Sequence, residues 1–148
     1  MMSEIAHETD RHLPYDELLI ERGQWLEHQT DELISYNACY TAYWLKAVAI
    51  VAFTQSGSTA RRVAKYRPQV PIIAITNSPE IPGRLMLCWG VHAFYIPNPV
   101  TVEGLFRIGS NLVKDLGIAR PGDLIVITGG IPLGITGTTN LLKVQEIT

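Results

Sequence analysis

Residues 47–59 read AVAIVAFTQSGST, and this stretch decides the fold. Ala47 to Phe53 is a continuous apolar run rich in Val and Ile, ended at once by a polar turn. A run that short is the signature of a strand covered on both faces, as a central parallel strand is. The turn Thr54-Gln55-Ser56-Gly57-Ser58-Thr59 leads into ARRVAKY, a helix that Ser58 or Thr59 can cap and that Arg67-Pro68 stops.

The same alternation spreads outward. Upstream, Thr30 to Leu45 sets small and apolar residues at helical spacing, with Thr30 or Asp31 as N-cap. Downstream, Pro71 to Thr76 (PIIAIT) repeats the strand signature, Pro79 to Trp89 reads as a helix opened by proline, and Ala93 to Ile96 as a third strand. Thr101 to Leu116 carries an apolar stripe from Val102 through Leu105, Gly109 and Val113. Asp123 to Thr128 (DLIVIT) is a fourth strand and Asn140 to Ile147 a fifth. Strands that alternate with helices over short connections predict an α/β fold, a three-layer α/β/α sandwich on a mostly parallel five-stranded sheet. Strands four and five are joined by GGIPLGITGTT without a helix, so the last strand should run antiparallel at or near an edge.

The chain has 148 residues, enough for one domain with its own core. At 47% hydrophobic and 18% charged it is too apolar for a disordered chain. The net charge of −2 conceals a division: residues 1–32 hold nine acids against Arg11 and Arg22, and the rest carries a modest basic excess. Residues 1–29 accordingly read as a linker and Tyr15 to Glu27 as a solvated, mobile acidic arm, with the α/β domain spanning 30–148. No apolar run reaches the ~18 residues of a membrane span, and the first residues lack the pattern of a secretory leader. Basic and aromatic residues do not interleave as in single-strand binders, so no nucleic-acid partner is expected. Cys39 and Cys88 lie far apart and suggest reduced thiols of a cytoplasmic protein rather than a disulfide or zinc site.

Ligands of such sheets bind beyond the carboxyl ends of the strands. Thr54, Ser56, Gly57, Ser58 and Thr59 crowd hydroxyls and a glycine where free amides and the helix dipole favour an anion, which suits a phosphate. The same residues would also serve an ordinary strand-to-helix turn. The glycine- and threonine-rich loop from Thr128 to Thr139 either folds over a ligand at that sheet end or is a plain hairpin connection. No acid pair, nucleophile with its base, or metal-ligand spacing is visible, and His92 stands apart from any carboxylate.

Three motifs in order, AIVAFTQSGSTARRVAKYRPQVPIIAIT, RLMLCWGVHAFYIP and RPGDLIVITGGIPLGITGTTNLLKV, resemble the C-terminal domain of the pyruvate kinase family from about Thr30 onward. The stretch MMSEIAHETDRHLPY resembles the segment by which the family's catalytic barrel enters that domain. The resemblance implies an allosteric domain that binds a phosphorylated sugar or nucleotide and contributes to a homotetramer interface. It places the effector phosphate on Thr54, Ser56, Gly57, Ser58 and Thr59, and the closing loop on Gly130, Pro132, Gly134, Thr136, Gly137 and Thr138. The family transfers phosphate from phosphoenolpyruvate to ADP with magnesium and usually potassium, but on a barrel with no counterpart in these residues. The chain alone is then non-catalytic and holds no cofactor. Bisphosphate-regulated members hold the second phosphate with a tryptophan and an arginine; here the corresponding stretch reads Pro99 to Phe106, with Arg107 displaced by two positions. The effector implied is a sugar monophosphate or AMP. The alternative is a structural or oligomerisation module with a vestigial phosphate loop.

Overall fold

In the computed structural model, residues 11–97, 101–131 and 138–148 are described. Strand β1, Ala49–Phe53, is buried at all five positions and lies at the centre of one sheet. Its side chains alternate between two cores. Ile50 and Ala52 enter one, Ala49, Val51 and Phe53 the other, which is the period of two that a strand imposes. β2 (Ile72–Thr76) pairs with β1 on one side and β4 (Leu124–Gly129) on the other, both parallel, so that Val51 faces Ile73 and Ile127 in register. β3 (Val91–Tyr95) extends the sheet beyond β2, and β5 (Leu141–Glu146) closes the far side. The order is β3-β2-β1-β4-β5, with only β4 and β5 antiparallel, as the helix-free connection requires.

Helices cover both faces, giving the expected three layers. On one face lie α1 (Tyr15–Gln24), α2 (Thr30–Trp44), α3 (Ser58–Lys65) and the short α4 (Ile81–Leu85). Ala38, Cys39 and Ala42 of α2 are small enough to bring that helix close to Val63 of α3 and to the sheet. On the other face α5 (Val102–Asp115) places Leu105 and Val113 among Phe53, Ile75 and Ile125. Thr101 caps α5 by accepting a hydrogen bond from the Gly104 amide at 2.9 Å. Gly109 is the contact point, since a Cβ there would stand 3.1 Å from Val51 Cγ1.

Several boundaries differ from the sequence reading. Gln29, not Thr30 or Asp31, occupies the N-cap of α2, and Asp31 accepts instead from the Glu32 amide. α4 is five residues rather than the length of Pro79 to Trp89, because the chain turns at Leu85 to Cys88 and passes through Gly90 at φ 69° into β3. The acidic stretch after Pro14 is helical and docked. Leu19 of α1 is buried, and Tyr36 of α2 donates to its carbonyl at 3.1 Å. One buried leucine on a weakly amphipathic helix suffices for docking where a neighbouring helix supplies the rest of the surface.

A polar cluster fastens α1 and α2 to α3. Arg22 donates to the Lys65 carbonyl at the end of α3. The Glu32 carboxylate accepts from Lys65 Nζ at 2.7 Å and Tyr66 Oη at 2.5 Å, and Arg62 reaches Asp31 at 2.9 Å. Burial raises the pKa of Glu32, but its hydrogen bonds to Lys65 and Tyr66 and the nearby cations outweigh that and hold it below the ordinary value. Burial and then the Glu32 carboxylate push the Tyr66 hydroxyl up, so it stays a donor.

Candidate functional site

The loop after β1 begins as a continuation of the sheet, with the Thr54 amide donating to Ile75 O at 3.0 Å. The buried Thr54 hydroxyl then accepts from the Gly57 amide at 2.8 Å, which curls the chain back over the strand end. Gly57 takes φ 90° and forms the N-cap of α3 itself, in place of the Ser58 or Thr59 cap that the sequence suggests. A side chain at 57 would be strained by that φ and would press on Arg61 Nη1 and Leu85 Cδ2. Ser58 is thereby released from capping. The Ser56 hydroxyl donates to the Ser58 hydroxyl at 3.2 Å and accepts from the Ser58 amide at 3.4 Å, so these two hydroxyls converge on the first turn of α3.

Electrostatics at this turn favour an anion. The first amides of a helix have no intrahelical acceptors, and the dipole adds to their positive potential. α3 has no acid in its first turn and carries Arg61, Arg62 and Lys65. Arg61 reaches back to the Ser56 carbonyl at 3.2 Å and so braces the loop.

The end of β4 stands beside this loop because β1 and β4 are paired. Gly129 packs directly on Phe53, where a Cβ would lie 3.2 Å from Phe53 Cβ. Gly130 meets the far limb of the next loop, and a Cβ there would overlap the Thr138 carbonyl oxygen. Asn140 fastens the neck of that loop, accepting from the Ile131 amide at 2.8 Å and donating to the Ile131 carbonyl at 2.6 Å. Thr139, which is buried, shares a hydrogen bond of 2.7 Å with Thr59 of α3.

The structure therefore brings Thr54, Ser56, Gly57, Ser58 and Thr59 together with the neck residues Gly130 and Thr138, while Pro132, Gly134, Thr136 and Gly137 lie outside the described residues. Sequence reading missed the parts played by Thr139, Asn140 and Arg61. Thr139 and Asn140 stand at the end of a visible threonine run, but the partners that use them are remote and leave no local spacing. Hydroxyls and amides of this kind are hydrogen-bond donors that suit an oxyanion. Among the described residues no three His, Cys, Asp or Glu side chains gather to hold a metal. His92 lies on β3 in register with Ile73, two strands from β1. Both cysteines are free; Cys39 is buried in contact with the Val63 carbonyl, and burial pushes its thiol pKa well up. No helix among the described residues is long and apolar enough to cross a membrane.

Residues 32–145 match the model of the family described as pyruvate kinase, alpha/beta domain. Pyruvate kinase of Clostridium acetobutylicum is 38% identical over 146 residues, which cover 99% of this chain and 31% of that protein. Pyruvate kinase of Geobacillus stearothermophilus is also 38% identical, over 99% of this chain and 25% of its own length. The chain thus spans between a quarter and a third of these relatives. A crystal structure of a pyruvate kinase from Cryptosporidium parvum superposes with a TM-score of 0.89 at 25% identity, over 99% of this chain and 29% of that one. In sequence and in fold, the chain belongs to the C-terminal α/β-domain family of pyruvate kinase.

Proposed function

We propose that this chain is the regulatory domain of a cytoplasmic pyruvate kinase, binding the phosphate of a small effector in the loop from Thr54 to Thr59. The observation that carries the reading is the Gly57 N-cap. It leaves Ser58 free of capping and brings the Ser56 and Ser58 hydroxyls together on the first turn of α3, at the carboxyl end of β1, where a helix start favours an anion. The loop between Gly130 and Thr138 would close over that point, and its neck is tied to α3 by Thr59 and Thr139. The effector is a sugar monophosphate or AMP, because Arg107 is displaced by two positions from where bisphosphate-regulated members hold a second phosphate. The whole enzyme would transfer phosphate from phosphoenolpyruvate to ADP using magnesium and potassium, and this domain alone would not. Effector binding acts on the enzyme through homo-oligomer contacts of the domain, by favouring one quaternary state over another.

Calorimetric titration with ribose 5-phosphate, glucose 6-phosphate, AMP and fructose 1,6-bisphosphate tests this. Binding of a monophosphate that Ser56→Ala weakens at least tenfold is the expected result. Absence of binding by all four overturns it. A second reading, an assembly module with a vestigial loop, is favoured by β5, an edge strand whose Val144 is exposed and whose outer side is open to pairing. A stable dimer in sizing with no effector binding would select it.

A further inference from the structure

A second candidate site lies along α3, lined by neither residue of the Thr59–Thr139 contact. An open groove of about 900 Å³ runs along the outer face of this helix, between the segment after α1 and the segment after α4. Its walls carry Arg22, Arg61 and Arg67 together with Trp25, Tyr66 and Trp89. Glu27 is the one carboxylate of the lining, against these three guanidiniums and Lys65.

The guanidiniums are held in place without being neutralised. Arg22 is fixed on the Lys65 carbonyl, Arg61 on the Ser56 carbonyl, and Arg67 on the face of Trp89, 5.1 Å from its ring centroid. None of the three has a carboxylate within ion-pair distance among the described residues, whereas Lys65 of the same groove is paired with Glu32. Arg67 also takes a left-handed backbone conformation, φ 51°, at the position after the α3 C-cap, where Asn or Gly is usual. In the same lining Trp25 is 82% exposed and Leu87 98% exposed, although each is large and apolar.

Fixed guanidiniums select phosphate or carboxylate oxygens, and several in one groove select a polyanion. The exposed indole of Trp25 selects a flat ring, and stacks on any base. We propose that this groove binds a nucleoside di- or triphosphate, its base against Trp25 and its phosphates along Arg22, Arg61 and Arg67, the last held on Trp89. The groove shares only Arg61 with the loop after β1, while Arg22, Trp25, Arg67 and Trp89 stand outside that loop.

ATP is titrated into the full chain while tryptophan fluorescence and heat are recorded, with Arg67→Asn, Trp25→Ala and Ser56→Ala in parallel. Asparagine accepts the left-handed backbone at 67, and Trp25 is exposed, so both variants keep the fold, as circular dichroism will verify. Saturable quenching is expected, with affinity reduced about tenfold or more by Arg67→Asn and by Trp25→Ala and unchanged by Ser56→Ala. Inorganic triphosphate should compete, and adenosine alone should bind weakly. The proposal is overturned by a lack of saturable binding at about 5 mM ATP. It is equally overturned by binding that Ser56→Ala removes and Arg67→Asn leaves, which would place the nucleotide in the loop. A glutamate-rich peptide that binds more tightly than ATP would reassign the groove to an acidic protein segment.

Discussion

Thr59 and Thr139, 80 positions apart, share a hydrogen bond of 2.7 Å between their side-chain oxygens, and both residues are buried. The bond joins the first turn of α3 to the residues that lead into β5. Replacing one partner strands the other. Thr59→Val or Thr139→Val should each cost about 1–3 kcal/mol in urea unfolding, and the double variant should lose less than the sum, because neither hydroxyl is then left buried and alone.

At Gly57 the backbone itself is the constraint. With φ at 90° and Arg61 Nη1 only 3.0 Å from the point a methyl group would occupy, Gly57→Ala should destabilise by about 1–2 kcal/mol. Gly57→Asn should be milder. Both should weaken inorganic phosphate binding measured by calorimetry, since the amides of the first turn are re-aimed.

Glu32 ties stability to pH. Its carboxyl pKa is lowered in the folded chain, because its hydrogen bonds and cations outweigh the opposing effect of burial. A lowered folded pKa gives stability that is present above the unfolded value near 4.5 and is lost as pH falls through the lower folded value. The stability difference between the native chain and Glu32→Gln should therefore be largest near neutrality and shrink on acidification. Urea unfolding between about pH 7 and pH 3 checks the sign.

The two thiols should separate by reactivity. Cys39 is buried against Val63 with its pKa pushed up, whereas Cys88 is only half-buried. A thiol reagent near pH 8 should titrate Cys88 alone in the native chain and both residues in denaturant. Rapid reaction of Cys39 in the native state would contradict its placement beneath α3.

Packing of α5 on the sheet depends on the missing side chain at 109. A Cβ there already stands 3.1 Å from Val51 Cγ1 and 3.5 Å from Phe53 Cζ. Gly109→Leu should therefore lift the helix and destabilise by about 1–3 kcal/mol.

The strands were legible because their chemistry is local. AVAIVAF and PIIAIT are uniformly apolar, and only two-sided burial explains such runs. The antiparallel β5 followed from the lack of a helix before it. Ends of elements were less legible: the caps of α2 and α3 fall on Gln29 and Gly57, while Asp31 bonds the Glu32 amide and Arg62, Ser58 meets Ser56, and Thr59 meets Thr139. The docking of α1 was hidden because one residue, Leu19, carries it against Tyr36 of another helix. At the site, the hydroxyl-rich turn was visible as a turn, while the ties from Thr59 to Thr139 and from Asn140 to Ile131 connect residues that only the sheet order makes neighbours.

That sheet order also dictates when the site comes into being. β1 and β2 are linked by a single short helix and can pair early, whereas β4 reaches β1 only after a loop of about half the domain has closed. α3 and its hydroxyls therefore exist before the limb that carries Thr139 arrives. A chain halted before the β4–β5 hairpin docks would hold the hydroxyl-rich turn without its tie to Thr139, and the Thr59–Thr139 bond would mark the molecules whose folding has run to its last step.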